Sequence, residues 1–163
     1  MQFITINESV FPEVAKIYQE GINTGIATFE TQVPTWETWN SSHLDFGRIA
    51  IAHNNQIYGW AALSPVSNRC IYGGVAEVSV YVSELKRGQG LGKKLLEKLI
   101  DISEENNIWT LQSSIMRANE SSIKMHENCG FRIIGYKEKI GKLHGVWLDN
   151  IILERRSKIV GIN

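Results

Sequence analysis

A glycine-rich loop between a predicted strand and a predicted helix constrains this chain more than any other feature of its sequence. Gly88, Gly90 and Gly92 alternate with single residues where that helix begins. Backbone N–H groups at a helix N-terminus attract anions, and glycines let a phosphate come close to the backbone. Arg87 and Lys93 add positive charge at the same end. The loop therefore predicts a phosphate or pyrophosphate site.

Two common phosphate-binding patterns do not match this loop. The P-loop pattern G-x-x-x-x-G-K-[ST] fails because Gly88 and Gly92 are too close together and Lys94 stands where Ser or Thr is required. The dinucleotide-binding pattern G-x-G-x-x-G fails because the glycines run G-x-G-x-G. An ATPase or a dehydrogenase is therefore disfavoured. A turn without a ligand is also disfavoured, because the glycines and Arg87 form a specific group at a strand-to-helix junction.

Length and charge indicate a single domain over residues 1–163 with no nucleic-acid partner. The chain has 163 residues, of which 43% are hydrophobic and 21% are charged, close to the average of globular proteins. Its 17 Lys and Arg residues balance 17 Asp and Glu residues, so the chain lacks the basic excess of a nucleic-acid binder.

Targeting and cysteine signals are also missing from the sequence. No apolar run reaches the ~18 residues that a membrane helix needs, and the N-terminus lacks a signal-peptide pattern. Cys70 and Cys129 give neither a disulfide framework nor a zinc spacing. We therefore expect a cytoplasmic protein with reduced thiols, no metal and no membrane partner.

The apolar pattern predicts a mixed α/β (α+β) chain. Val78, Val80 and Val82 alternate with polar or aromatic residues, as expected of one face of a strand. The three strands in the middle of the chain are expected to form an antiparallel meander. The strand–helix–strand unit of residues 75–114 is expected to form a right-handed crossover between two parallel strands. Gly21 is expected to end the first helix. The predicted strands are 3–6, 48–53, 57–63, 75–82, 108–114, 131–140 and 146–154, and the predicted helices begin near 9 and 34 and cover 90–105 and 119–129.

The loop sequence resembles a known family. Arg87-Gly88-Gln89-Gly90-Leu91-Gly92 is similar to the R/Q-x-x-G-x-G/A pyrophosphate loop of the GNAT acetyltransferases. The resemblance implies the GNAT acyl-CoA N-acyltransferase fold, a mixed central sheet flanked by about four helices, and acetyl-CoA as co-substrate. It implies pantetheine between strands 75–82 and 108–114, with backbone N–H groups near Val80 and Val82 as oxyanion donors. The residues that it assigns to acetyl-CoA are Val80, Val82, Arg87, Gly88, Gln89, Gly90, Gly92, Lys93 and Asn119, the last of which also reads as a helix N-cap.

Further motifs narrow the resemblance to the phosphinothricin and methionine sulfoximine N-acetyltransferase family. Residues 26–31, 76–82, 125–131 and 144–149 carry them in order, and the likeness spans about residues 3–155. Such a family implies a small amino-acid substrate and a homodimer. It implies that Phe29 and Glu30 cover the substrate. Arg69, close to Tyr72, suits the substrate carboxylate, because a guanidinium group can donate two parallel hydrogen bonds to a carboxylate. Arg69 reads equally well as a solvated loop residue.

Glu77 is the predicted general base. Acetyl transfer to an amine requires a base that removes a proton, and partial burial raises the pKa of a carboxyl group toward neutrality. A carboxylate in a valine-rich strand is costly unless it is exposed, paired or functional. From the residues alone, a base and an exposed side chain are equally good readings; the resemblance favours the base.

Two histidines are further candidates for catalysis. His126 faces inward on its helix and reads either as a core histidine or as an acid or CoA contact. His144 precedes Gly145 in a predicted hairpin turn, where the resemblance implies a catalytic role and the pattern alone indicates a polar turn residue. The function hypotheses are an N-acetyltransferase for phosphinothricin, methionine sulfoximine or methionine sulfone, one for another amine, or a non-catalytic acyl-CoA-binding module.

Overall fold

The computed structural model describes residues 1–163, which form one seven-stranded mixed sheet and four α-helices. The order of elements along the chain is the predicted one. Across the sheet the strands run β1-β2-β3-β4-β5-β7-β6. The strands are β1 (Gln2–Thr5), β2 (Ile49–His53), β3 (Gln56–Pro65), β4 (Val75–Val82), β5 (Thr110–Met116), β6 (Arg132–Leu143) and β7 (Val146–Arg156), and the helices are α1 (Phe11–Asn23), α2 (Trp36–Ser42), α3 (Leu91–Glu105) and α4 (Glu120–Asn128).

Helices cover both faces of the sheet, because alternate strand residues are apolar on both sides. One core joins α1 and α2 to Ala50, Trp60 and Ala62 of the sheet. The other core joins α3 to strand residues that point to the opposite face of the sheet, such as Ala61 and Leu63 of β3. Successive strand residues point to opposite faces, so each central strand contributes to both cores.

The predicted crossover places β4 parallel to β5, and the two strands then separate. They pair only from Val75 to Glu77, opposite Thr110 to Gln112. Beyond Glu77, β4 stays paired with β3 alone. The separation opens a gap in the middle of the sheet that the second half of β4 lines.

The hairpin of β6 and β7 carries a wide bulge. Its register shifts between Lys137 and Gly141, so that extra residues of β6 stand opposite β7. The Asp149 carboxylate holds the bulge, because it accepts hydrogen bonds from the Lys139 backbone N–H at 2.7 Å and from the Tyr136 hydroxyl. The bulge brings Gly141 toward the loop between α1 and α2.

One expectation about the first helix is wrong. Gly21 does not end α1, which continues to Asn23. A Cβ atom on Gly21 would lie 2.6 Å from the Tyr81 ring, so glycine is needed there for close packing of α1 on β4. The other boundaries agree with the predicted ones within a few residues. No helix of the protein has the length and apolar character needed to span a membrane.

Candidate active site

Two cavities meet at the gap between β4 and β5. The first, about 490 Å³, lies over the glycine loop and is called the donor cavity here. The second, about 380 Å³, contains Glu77 and is called the acceptor cavity. Both are lined by Val80, Tyr81, Asn119 and Ser122, so a ligand in one can reach a ligand in the other.

The glycine loop forms the floor of the donor cavity. Gly88 and Gly90 have φ values of +74° and +76°, which L residues with side chains rarely adopt. A Cβ atom on either would meet no protein atom within 4 Å, so the backbone faces open space. Arg87 and Lys93 line the same cavity at the N-terminus of α3. This combination of free backbone, helix terminus and positive charge suits a pyrophosphate.

Three other residues that were predicted to bind acetyl-CoA, Gly92, Asn119 and Gln89, occupy different positions relative to the donor cavity. Gly92 lines the donor cavity, but a Cβ atom there would lie 2.7 Å from the Met125 sulfur, so this glycine also allows α3 to approach α4. Asn119 caps α4, accepting a hydrogen bond from the Ser122 backbone N–H, and lines both cavities. Gln89 is exposed and lies outside both linings, and its amide group donates to the Leu85 carbonyl.

Two backbone N–H groups of β4 face the gap. The Gly74 carbonyl, just before β4, accepts a hydrogen bond from the Thr110 N–H on the β5 side. Backbone groups alternate sides along a strand, so even-numbered residues of β4 direct theirs toward β5. Val80 and Val82 lie beyond the last pair with β5, which leaves their N–H groups without a strand partner. The separation of the strands frees them, since the register between β3 and β4 is unbroken and contains no bulge.

Glu77 lies where the gap begins, directly opposite Ser64 of β3. Its side chain is exposed to solvent at the point where it opens into the acceptor cavity. Burial by the surrounding protein raises the pKa of Glu77 above its ordinary value, and the positive charge of Lys137 partly offsets this effect. A carboxylate with a raised pKa inside a polar cavity is well suited to accept a proton from an amine.

The loop between α1 and α2 closes one side of the acceptor cavity. The Phe29 ring lies against Gly141 of the bulged hairpin, where a Cβ atom would approach it to 2.7 Å. The Thr28 hydroxyl accepts a hydrogen bond from the Glu30 backbone N–H at 3.1 Å, which holds the loop in its turn. Phe29 and Glu30 both line the cavity.

Comparison with known proteins identifies the family. The model described as "Acetyltransferase (GNAT) family" matches residues 13–131. The chain belongs to the GNAT acetyltransferase family. The fold is the GNAT fold predicted from the sequence, and the protein is an N-acetyltransferase of the GNAT type.

Individual GNAT relatives resemble this chain over most or part of its length. A phosphinothricin N-acetyltransferase of Streptomyces coelicolor is 28% identical over 158 residues, which are 92% of each chain. An L-methionine sulfoximine/L-methionine sulfone acetyltransferase of Pseudomonas paraeruginosa is 38% identical over 76 residues, 47% of this chain and 44% of that one. The crystal structure of a GNAT phosphinothricin acetyltransferase from Sinorhizobium meliloti in complex with AcCoA has a TM-score of 0.89 and 26% identity, and covers 99% of this chain and 91% of that one.

His126 occupies the GNAT core beside the gap. Its side chain is 3% exposed and packs edge-on against Phe131. Nδ1 donates to the Ser122 carbonyl at 2.7 Å, so Nε2 is the acceptor for the Ser113 hydroxyl at 3.2 Å. Burial lowers the pKa of His126, which keeps the ring neutral. Both nitrogens have partners within the protein, although the ring also lines the acceptor cavity.

Besides Gln89, three predicted residues lie outside both GNAT cavities. Arg69 and Tyr72 are in the exposed segment between β3 and β4, and the Arg69 guanidinium lies 5.6 Å from the Tyr72 ring centre. His144 is exposed at the hairpin tip with a φ of +47°, next to Gly145. The structure brings none of them to Glu77.

Sequence reasoning missed three polar residues of this GNAT site. Lys137 of β6 is close enough to act on the charge of Glu77. Asn150 of β7 lines the acceptor cavity and donates to the Ser114 hydroxyl at 2.8 Å. His43 lines the same cavity after α2. None belongs to a local motif; only the pairing of distant strands brings them together. No group of three or more His, Cys, Asp or Glu side chains is arranged to hold a metal ion.

Proposed function

We propose that this GNAT enzyme transfers the acetyl group of acetyl-CoA to the amino group of phosphinothricin, methionine sulfoximine or methionine sulfone. The observation that carries the proposal is Glu77, placed in a polar cavity that joins the glycine-loop cavity through the gap in the sheet. The printed activities of the relatives in Streptomyces coelicolor and Pseudomonas paraeruginosa support this substrate class.

The donor cavity suits the elongated acetyl-CoA molecule. The pyrophosphate would lie on the N–H groups of residues 87–92, with Arg87 and Lys93 balancing its charge. The pantetheine arm would run through the gap beside Val80 and Val82, and Asn119 offers a polar contact where the two cavities join. The thioester then lies between the free N–H groups of β4 and the acceptor cavity.

The reaction scheme is direct attack in a ternary complex. Glu77 removes the proton of the substrate ammonium group, and the neutral amine attacks the thioester carbon. The Val80 and Val82 N–H groups stabilise the negative oxygen of the tetrahedral intermediate. The C–S bond then breaks and the thiolate takes up the second amine proton. Neither Cys70 nor Cys129 lines either cavity, which favours direct transfer over an acyl-enzyme.

A substrate carboxylate requires a cation near the acceptor cavity. Lys137 acts on Glu77 from the bulged strand and is the cation that we propose for this role. Arg69 and Tyr72 lie in the segment that joins β3 to β4, at the end of the sheet where Ser64 and Glu77 pair. We propose that Arg69 attracts the carboxylate at the entrance rather than binding it inside.

Free-thiol release from acetyl-CoA tests the substrate assignment. Methionine sulfoximine, methionine sulfone and phosphinothricin would be compared with a polyamine and a short peptide, and a reaction without amine would measure hydrolysis. Turnover confined to the amino-acid analogues is the expected result. Turnover of the peptide or polyamine alone would overturn the substrate class but keep the enzyme. Binding of acetyl-CoA without any turnover would support a non-catalytic module.

We also propose that two copies of the chain form a homodimer through the outer strands β6 and β7. These strands expose several large apolar side chains, which a partner surface could cover. The exposed residues are Ile133, Ile134, Tyr136, Ile140, Val146 and Trp147. Light scattering after size exclusion, with Trp147→Lys as the variant, would give a dimer for the wild type and a monomer for the variant. A monomeric wild type would contradict this assembly.

A further inference from the structure

Among the ionisable groups that line the acceptor cavity is His43, which the scheme above does not use. His43 follows the last residue of α2, and its ring is stacked on Trp39 with 4.2 Å between ring centres. It lines the same cavity as Glu77. A partly exposed histidine in the same cavity as a base can serve as a path for a proton.

The His43 ring is held in one orientation and one tautomer. Nδ1 lies 2.6 Å from the Trp39 carbonyl, which can only accept, so Nδ1 carries the hydrogen and Nε2 keeps a lone pair. The His43 carbonyl accepts a hydrogen bond from the Arg48 guanidinium at 2.9 Å. Arg48 is buried and also binds Asn40 and Leu44, so it fixes the whole turn.

Nε2 is free to exchange protons with the cavity. It forms no hydrogen bond within the protein, and it is not among the polar atoms shut off from solvent. Burial and the positive charge of Arg48 lower the pKa of His43, while the hydrogen bond to the Trp39 carbonyl opposes them. The ring is therefore neutral at neutral pH and can accept a proton transiently.

Ser64 links His43 to Glu77 across neighbouring backbone segments. The Leu44 N–H donates to the Leu63 carbonyl at 2.8 Å, which places the residue after His43 beside the residue before Ser64. Ser64 stands directly opposite Glu77 in the register of β3 and β4. His43, Ser64 and Glu77 all line the acceptor cavity.

Charged and titratable groups surround His43 on several elements. Arg48, just before β2, lies behind the ring and is 3.5 Å from the exposed Asp45 carboxylate. Tyr18 of α1 and Glu30 of the following loop line the cavity, and Glu77 faces it from β4. Glu30 and Glu77 are the anions that would stabilise a transient imidazolium from the cavity side.

Acetylation of an ammonium group must release one proton to solvent. The new N–C bond forms, the C–S bond breaks, one amine proton ends on the CoA thiol, and the other leaves through the base. We propose that His43 relays the proton accepted by Glu77 to solvent, through the Ser64 hydroxyl and water in the cavity. The proposal rests on the role of Glu77 as base and extends it.

Steady-state kinetics of His43→Gln test the relay, in dilute buffer so that buffer cannot replace it. We expect kcat to fall about tenfold, with the KM values for amine and acetyl-CoA unchanged. In His43→Ala, added imidazole should restore most of the lost rate. His53→Gln is the matched control, because His53 is exposed at the end of β2 and lies outside both cavities. An unchanged kcat, or a higher amine KM alone, would overturn the relay.

A second measurement does not depend on the identity of the amine. Two-bond 1H–15N spectra of histidine-labelled protein would give the tautomer and titration curve of His43, assigned by comparison with His43→Gln. We expect the Nδ1–H tautomer and a curve that changes in midpoint or shape in Glu77→Gln. Identical curves would overturn the relay, even if an amine is acetylated. A changed curve in a protein that acetylates none of the tested analogues would instead reject the proposed substrates.

Discussion

The donor and acceptor cavities are built in different ways. The donor cavity takes its floor from one continuous stretch, Arg87 to Lys93, and offers mainly backbone N–H groups and the start of α3. The acceptor cavity takes side chains from α1, the following loop, the end of α2, helix α4 with its N-cap, and strands β3, β4, β5 and β7. Backbone recognition depends on local conformation, whereas side-chain recognition depends on how distant elements pack.

This difference indicates how specificity can change in the protein. A donor site with a floor of backbone should tolerate most substitutions other than those of its glycines and of the cations Arg87 and Lys93. An acceptor site made of scattered side chains can change with one residue, and a single pocket contact is worth ~1–3 kcal/mol between related substrates. We therefore expect variants of the two cavities to affect the two substrates separately.

Glu77→Gln is expected to give the largest difference between the effect on the amine reaction and the effect on acetyl-CoA binding. The amide keeps the size of the side chain but cannot accept the amine proton. We expect kcat/KM for the amine to fall roughly 100- to 1000-fold, within the range for loss of a general base. The dissociation constant of acetyl-CoA, measured by calorimetry, should stay unchanged.

Glu105→Gln is the control for that variant, since Glu105 is exposed at the end of α3 and lies outside both cavities. It should behave as the wild type. Substantial activity in Glu77→Gln would remove Glu77 from the scheme.

A smaller effect on the opposite cavity is expected for Gly90→Ala. The added Cβ would project into the open space of the donor cavity, from a backbone with a φ of +76°. We expect acetyl-CoA to bind about tenfold more weakly, or ~1.4 kcal/mol, with the amine KM unchanged. The free energy of unfolding should fall by about 1–2 kcal/mol, because an L residue is strained in this conformation.

Gly145→Ala is the control that separates backbone strain from obstruction of the donor cavity. Gly145 has a similar φ of +83° and equally open surroundings, but lies at the hairpin tip outside both cavities. Its stability should fall by a similar amount while acetyl-CoA binding stays normal. Equal loss of binding in the two variants would show that strain, rather than obstruction of the donor cavity, is responsible.

Gly141→Ala should modestly weaken binding of the amine in the acceptor cavity. The new Cβ would lie 2.7 Å from the Phe29 ring, so the ring must move away from the hairpin. We expect the amine KM to rise about three- to fivefold, corresponding to ~1 kcal/mol, without a change in acetyl-CoA binding. Gly135→Ala, on the same strand with no atom within 4 Å of its Cβ, should leave both constants unchanged. The opposite ranking would show that the hairpin does not position Phe29.

The smallest effect concerns the pH profile. Glu77 must be ionised to act, so kcat/KM should rise with pH through its pKa, which burial raises above the ordinary value of a glutamate. Lys137 lowers that pKa, so Lys137→Met should move the acid limb to higher pH. We expect the ratio of kcat/KM at pH 6 to that at pH 8 to fall about twofold, a comparison in which any loss of substrate binding cancels. Lys142→Met is the control on the same strand, and an equal change there would contradict a local effect.

The fold was largely predictable because its signals are local. Alternating valines in β4, the apolar stripe of α3 and the Asn119 cap each depend on a few neighbouring residues. Gly21 was misread because a glycine that ends a helix and a glycine that lets a ring approach look alike in sequence. Only the position of Tyr81 distinguishes them.

The sequence by itself determined the order of elements, the glycine-rich loop at the start of α3 and the carboxylate at the start of the gap. Each follows from backbone propensity or from a spacing within a single segment. The tertiary structure alone decided that His43 and Asn150 share a cavity with Glu77 and that Lys137 acts on its charge, whereas Arg69 and His144 lie outside that cavity. It also decided that the separation of β4 from β5 frees the Val80 and Val82 N–H groups. These outcomes depend on which distant segments pack together, because burial of the two cores, rather than any local preference, sets the distances between them.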